Sequence, residues 1–245
     1  MTLNYIIVIP ARYDSTRLPG KPLVNLAGKP MIQRVYEQCT MAVDSDRVFV
    51  ATDDDRIRSV CESFGAKVVM TSSECLTGTD RVAEVSKKID ARYYINVQGD
   101  EPLFNPVDIN LLIDSLNFNE DEILMGYCAV ASKADFENRA IPKIIFSEHK
   151  QLLYMSRSPI PGNKKDEFRS AWRQVCAYAF PKKSLEVFSS VNSKTPIEEI
   201  EDLEMIRFLE KGVSIKVIEM SSESIAVDHL EDIEKVLKRL EYETE

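Results

Sequence analysis

Three cations crowd the stretch just after the first apolar run of this chain. Arg12, Arg17 and Lys21 follow Tyr5 to Ile9 and are spaced by Ser15, Thr16, Pro19 and Gly20. Arginine offers a planar fork of donors and lysine a mobile point charge, and both suit phosphate oxygens. Two carboxylates far down the chain have a complementary setting. Asp100 ends an apolar run, and Asp228 follows another, Ile225-Ala226-Val227. Phosphoryl chemistry commonly holds Mg²⁺ by one or two such carboxylates plus substrate phosphates. Each group also has a plainer reading: a solvated basic loop, a turn residue at Asp100, and an N-cap of the last helix at Asp228. Charge balance favours chemistry for the loop, because 31 Lys and Arg against 40 Asp and Glu leave a net charge of −9, against which clustered cations stand out.

A third segment, Thr77-Gly78-Thr79-Asp80-Arg81, places hydroxyls and a glycine where a helix begins. It reads equally as a ribose or phosphate cradle at a helix N-terminus or as a simple N-cap with Thr79. Other chemistries find no footing. The chain has neither GxGxxG nor GxxxxGK[ST], so neither a dinucleotide fingerprint nor a P-loop is indicated. His149 lies in a polar stretch, and His229 beside Asp228 has no hydroxyl or thiol partner identifiable from sequence, which disfavours a catalytic triad. The five cysteines form no CxxC pair, so they suggest no zinc site or disulfide framework and fit reduced, cytoplasmic thiols.

The elements that must position these residues alternate. Tyr5 to Ile9, Arg47 to Ala51, Lys67 to Met70, Tyr93 to Val97 and Leu124 to Val130 read as strands. Between them, helices are expected over Lys29 to Met41 with Pro30 in the first turn, over Arg56 to Phe64 capped by Thr52 or Asp53 and stopped by Gly65, from the Thr77 segment to Lys88, and over Pro106 to Leu116. This order predicts an α/β fold with a mostly parallel sheet flanked by helices, its basic loop, Thr77 segment and Gln98-Gly99-Asp100 meeting at the carboxyl edge. From Ser132 to Lys194, prolines interrupt the pattern, and a smaller, partly antiparallel lobe is expected. A helix over Pro196 to Lys211, a strand over Val213 to Met220 and a final helix over Leu230 to Leu240 complete the chain. The expected organisation is one cooperative domain, with 1–131 and 196–245 as a nucleotide-binding core and 132–195 as the smaller lobe.

Composition narrows the partners. An apolar content of 44% allows a sizeable core. The acidic balance argues against a general nucleic-acid binder but leaves room for a nucleotide in a local basic site. No stretch is apolar and long enough to span a bilayer, and no signal-peptide pattern opens the chain, so neither membrane insertion nor export is expected.

The segments IPARYDSTRLPGKPL, ATDDDRI, TGTDRVAE, NVQGDEP, YMSRSPIP and VDHLEDIEKV occur in that order over nearly the whole chain. Together they closely resemble the 3-deoxy-manno-octulosonate cytidylyltransferase (CMP-Kdo synthetase) family. The resemblance implies a Rossmann-like nucleotidyltransferase fold with a small lobe for sugar binding and dimer contact. It also implies Mg²⁺ dependence, a cytoplasmic homodimer, and a place in lipopolysaccharide biosynthesis. The reaction implied is transfer of CMP from CTP to the anomeric hydroxyl of a 3-deoxy-2-ulosonic acid, with release of pyrophosphate.

Matched by motif, the resemblance implies that Arg12, Lys21 and Arg17 contact the triphosphate. Ala11, Thr77, Gly78, Thr79 and Arg81 seat the nucleotide, and Asp100 and Asp228 hold magnesium. Gln98, Arg157, Tyr178 and Glu204 line the acidic-sugar site. Here the chain departs from the family: Gln174 stands where a His is usual, Met205 follows Glu204 in place of a Gln, and Ala226 and His229-Leu230 replace a Gly and a Thr-Pro. Exchanging Gln for Met removes a donor and an acceptor, so Gln174 and Met205 bear on which acid is accepted. Kdo, its 8-amino analogue, another 2-keto-3-deoxy acid and a phosphonate are the alternatives, with an inactive nucleotide-binding relative behind them.

Overall fold

The computed structural model describes residues 3–14, 18–118, 121–165, 167–191, 193–222 and 224–242, with the side chain of 242 left aside. Arg17 lies outside these. The chain forms two compact units, Met1–Asn110 with Glu223–Glu245, and Leu111–Ser222.

The first unit opens with β1 (Leu3–Ala11), followed by a two-rung hairpin of β2 (Asn25–Leu26) and β3 (Lys29–Pro30), then α1 (Met31–Ala42), β4 (Val48–Thr52), α2 (Asp55–Ser63), β5 (Lys67–Met70), α3 (Gly78–Lys88) and β6 (Ala91–Val97). The long strands are all parallel and lie in the order β6-β1-β4-β5. Ile6 to Ile9 of β1, the central strand of these, are fully buried, as expected of a strand that has neighbours on both edges and helices packed on it. From β1 the chain advances through β4 to β5, then returns to the other side of β1 for β6. The loops leaving β1 and β6 therefore part in opposite directions, which opens a crevice at the carboxyl edge.

Several expected boundaries move, each for a physical reason. Pro10 does not end β1. The ladder to β6 stops at Val8 and Asn96, so a missing N–H at Pro10 costs that ladder nothing, while pairing to β4 continues to Ala11. Pro30 is the N-cap of α1 rather than a first-turn residue, because Ala27 and Gly28, both at positive φ, turn a hairpin immediately before it. The cap of α2 is Asp54, whose Oδ1 accepts the Arg56 N–H at 2.8 Å, and not Thr52 or Asp53. Gly65, at φ 84, follows the end of that helix as expected.

A hydrophobic cluster of Leu26, Met31, Leu103, Val227 and Val236, with Ile225, Ile233 and Leu237 packed against it, seats the C-terminal helix (Leu230–Tyr242) on this unit. The division between units falls within α4 (Pro106–Asp114).

The second unit holds β7 (Ile123–Ala129), α5 (Lys133–Glu137), β8 (Lys143–Phe146), β9 (Leu152–Ser156), β10 (Trp172–Pro181), α6 (Lys182–Phe188), α7 (Pro196–Glu201), α8 (Met205–Glu210) and β11 (Ile215–Glu219). β11 is parallel to β7, while β10 is antiparallel to both β7 and β8, and β8 to β9. The antiparallel pairing expected of the proline-punctuated stretch is present. The single helix expected over Pro196 to Lys211 is two, broken at Asp202, which sits at φ 52. Burial explains the break. Glu198 and Arg207 are both fully buried and form a bidentate ion pair at 2.7 Å. Nine positions apart on a straight helix they would be separated by roughly 13 Å along the axis. Folding the chain back lets them meet, and Arg207 also stacks on Phe188 with its guanidinium carbon 3.8 Å from the ring centroid.

Candidate active site

Within the first unit, a cleft of about 250 Å³ opens at the carboxyl edge of the parallel strands. Its walls are Pro10, Ala11 and Arg12 after β1, Lys21 and Pro22, Cys75 to Gly78 with Arg81 at α3, Gln98 to Asp100 after β6, and Asp228 before the C-terminal helix. The three segments expected to converge do so, joined by the fourth that carries Asp228. Two glycines let the walls approach. A Cβ on Gly99 would lie 2.6 Å from the Pro10 carbonyl oxygen, and one on Gly78 would lie 3.0 Å from Gln98 Oε1. Only glycine permits the first of these contacts.

At the centre stands Lys21. Its Nζ donates to Asp100 Oδ2 at 2.6 Å and lies 3.4 Å from Asp228 Oδ1. The two carboxylates are brought together from opposite ends of the chain. Asp100 ends the turn after β6, and its carbonyl accepts the Val227 N–H at 2.9 Å. Val227 is fully buried in the cluster beneath the C-terminal helix, so packing of an apolar side chain delivers the acidic neighbour. In the first turn of that helix, Asp232 accepts the N–H groups of both Asp228 and His229.

These two carboxylates fit a magnesium ion. They supply hard oxygen donors, and the ammonium lodged against both shows that a cation is stabilised at that point. Among the described residues no group of three or more His, Cys, Asp or Glu could hold a metal. A two-carboxylate site relies on phosphate oxygens and water to complete its shell.

The remaining expected nucleotide contacts divide. Arg12 is exposed and lines the cleft. Thr77 and Gly78 line it too, but Thr77 also caps α3 in a reciprocal box with Asp80, receiving the Asp80 N–H while its own N–H donates to Asp80 Oδ2 at 2.8 Å. The cap is therefore Thr77 and not Thr79, which is fully buried. Arg81 borders the cleft with its side chain 3% exposed, donating to Asp53 Oδ2 at 2.8 Å, Thr71 Oγ1 at 2.7 Å and the Ser72 carbonyl. It ties β4 and the segment after β5 to α3. Sequence reasoning overlooked Cys75 and Leu76 as lining residues; no polar motif marks them. Burial, followed by the nearby Glu84, pushes the Cys75 thiol up to about 12, so it is neutral at physiological pH.

The expected sugar-site residues, apart from Gln98, lie in the second unit. Gln174 and Tyr178 share β10, and the Gln174 amide nitrogen donates to the Tyr178 hydroxyl. Residues four apart on a regular strand stand roughly 13 Å apart; a register shift between Val175 and Tyr178 and two long side chains close that distance. Gln174 is 8% exposed, and its Oε1 has no hydrogen-bond partner. Arg157, just past β9, spreads its guanidinium over the carbonyls of Glu201, Asp202 and Arg139, at 2.7, 3.0 and 3.2 Å. Glu201 returns the contact by accepting the Arg157 N–H and the Ser156 hydroxyl. Buried Lys143 adds a bond to the Arg157 carbonyl. Glu204 is the N-cap residue of α8, and Met205, its first residue, is fully buried.

Comparison with known proteins agrees with this geometry. The cytidylyltransferase family model matches residues 6–218. An 8-amino-3,8-dideoxy-manno-octulosonate cytidylyltransferase of Shewanella sp. (strain W3-18-1) is 41% identical over 97% of this chain and 99% of its own. A 3-deoxy-manno-octulosonate cytidylyltransferase of Geobacter metallireducens is 42% identical over 95% and 96%. The solved structure of CMP:2-keto-3-deoxy-manno-octonic acid synthetase complexed with CTP superposes with a TM-score of 0.90 at 36% identity, covering 98% of this chain and 99% of that one. A match over most of the chain, on a parallel-strand crevice that gathers cations and carboxylates, makes this protein a member of the cytidylyltransferase family, an enzyme of the nucleotidyltransferase class.

Proposed function

We propose that the protein catalyses Mg²⁺-dependent transfer of CMP from CTP to the anomeric hydroxyl of Kdo or of its 8-amino-3,8-dideoxy analogue, releasing pyrophosphate. The observation that carries this reading is the convergence of Asp100 and Asp228 on the Lys21 ammonium. Relatives named for each of the two acids are similar to this chain to the same degree, 41% and 42%, which supports both acceptors.

In this reading Asp100 and Asp228 hold the metal ion, which when bound neutralises charge on the phosphate oxygens. Lys21 exchanges part of its carboxylate pairing for the triphosphate, and Arg12 and Arg17 bind its outer oxygens. Ala11, Thr77, Gly78, Thr79 and Arg81 shape the nucleotide seat, Arg81 by bracing its wall. The acid's hydroxyl attacks the α-phosphorus as the bond to the β-phosphate oxygen breaks, and preorganised positive charge supplies most of the acceleration. For the acid we assign Gln98, Arg157, Gln174, Tyr178, Glu204 and Met205. A cytoplasmic location, supported by cysteines that form no disulfide, and a homodimer, testable as a solution mass of twice 27.9 kDa, complete the reading.

Pyrophosphate release measured with CTP, Mg²⁺ and each acid tests the proposal. Turnover of at least one acid is expected, with Asp100→Ala folded and slowed by about 10²-fold or more. A folded Asp100→Ala protein that retains full turnover defeats the metal assignment.

A further inference from the structure

The two ends of the basic loop are joined by a contact outside the cleft. Tyr13 follows Arg12, and Gly20 precedes Lys21. The Gly20 N–H donates to the Tyr13 carbonyl at 2.9 Å and pinches the loop at its neck. Gly20 sits at φ +68, and a Cβ there would meet the Tyr13 ring at 3.2 Å, so the ring lies hard against the glycine. Arg56, in the first turn of α2, brings its guanidinium carbon to 3.3 Å from the Tyr13 ring centroid, a separation that requires face-on stacking. Asp54 grips that guanidinium with both oxygens, at 2.9 Å from Nε and 2.5 Å from Nη2, while capping α2. The result is a continuous stack, Asp54 to Arg56 to Tyr13 to Gly20, that keys the loop after β1 to the start of α2. Neither Tyr13 nor Arg56 lines the cleft, yet each end of the pinched neck is bonded directly to a residue whose cation does.

We propose that this stack is a latch that fixes the neck of the nucleotide loop, making Tyr13 and Arg56 positioning residues for triphosphate binding by Arg12 and Lys21. The inference rests on the assignment of the triphosphate to those cations. A stacked guanidinium held by a carboxylate is preorganised, so the neck is ordered before the nucleotide arrives, and binding does not bear that ordering cost. Opening the latch should therefore weaken the grip on the β- and γ-phosphates and leave the cytidine end untouched.

Calorimetric titration of CTP and CMP into wild type, Tyr13→Ala, Tyr13→Phe and Arg56→Met, with kcat and KM for CTP alongside, tests this. Arg56→Met should weaken CTP roughly 2- to 5-fold, the range an exposed cation–π contact supplies, and Tyr13→Ala at least as much. Tyr13→Phe keeps the ring and should keep CTP affinity. CMP affinity, kcat and the KM for the acid should stay level in all of them. Combining Tyr13→Ala with Arg56→Met should cost no more than Tyr13→Ala alone, since both remove one contact. Arg56 is 59% exposed, so Arg56→Met decides the matter if Tyr13→Ala does not fold. Unchanged CTP affinity in Arg56→Met, or an equal loss for CTP and CMP, overturns the latch alone. Wild-type protein that binds CTP no better than CMP overturns the triphosphate assignment and the latch with it.

Discussion

Lys21 bridges two acidic side chains that would otherwise repel each other. With its ammonium 2.6 Å from Asp100 and 3.4 Å from Asp228, these three side chains alone sum to a residual negative charge of about one. Lysine suits this better than arginine because its point charge on a flexible stem could shift toward phosphate if the proposed metal ion took its place. Gln174 poses the opposite case. Its amide is buried with one end unpartnered, and an unmet buried polar atom costs about 1–3 kcal/mol. Such a cost fits a group whose partner is a substrate. Gln174→Leu should then leave the thermal midpoint close to wild type, since an apolar side chain removes the unmet atom, while the KM for the acid rises several-fold with the KM for CTP unchanged. Thermal melts beside acid and CTP saturation curves check this, and a fall in stability with no change in KM would assign Gln174 to packing.

At the scale of elements, the junction of β9 and α7 is organised by Glu201. Burial raises its pKa, but hydrogen bonds from Ser156, from the Arg157 N–H and from Tyr154, with the Arg157 charge, outweigh that and hold it below its usual value. A carboxylate whose folded pKa lies below its unfolded one adds stability above the unfolded value and loses it as pH falls through the folded one. Glu201→Gln should therefore be less stable than wild type at pH 7, and the gap should begin to narrow as pH falls to about 4.5 and close as it falls through the lower folded value. Urea midpoints measured from pH 7 to pH 3 give the comparison; a gap that is constant with pH would mean the loss is one of packing. At the same junction Arg157, which its motif assigns to the acid, gives three donors to main-chain carbonyls of residues 139, 201 and 202.

For the molecule as a whole, the proposed two-carboxylate metal site predicts mutual dependence of metal and nucleotide. Neither ligand finds a complete shell without the other, and such coupling is reciprocal. Magnesium alone should raise the thermal midpoint little. CTP with magnesium, at about 100 times its Kd, should stabilise by about 2.7 kcal/mol, well above the sum of the separate effects. Differential scanning fluorimetry with each ligand and with both measures this, and strictly additive shifts would contradict a shared site.

What the sequence by itself determined is largely local. The apolar run of β1, the alternation of strands and helices, and the cations after β1 are legible because hydrophobic periodicity and turn chemistry act between near neighbours. The motifs also named the carboxylates. Pairing was decided elsewhere. Asp53 and Asp54 are adjacent and chemically alike, yet one holds Arg81 across to α3 and the other caps α2. Pro196 to Lys211 has an unbroken helical look, yet Glu198 must reach Arg207, so the chain folds back at Asp202. Asp228 reads locally as a helix cap, and Val227, buried beneath the last helix, carries it to Lys21. In each case a buried charge or apolar side chain found its partner outside its own turn or helix, and that contact decided the local arrangement.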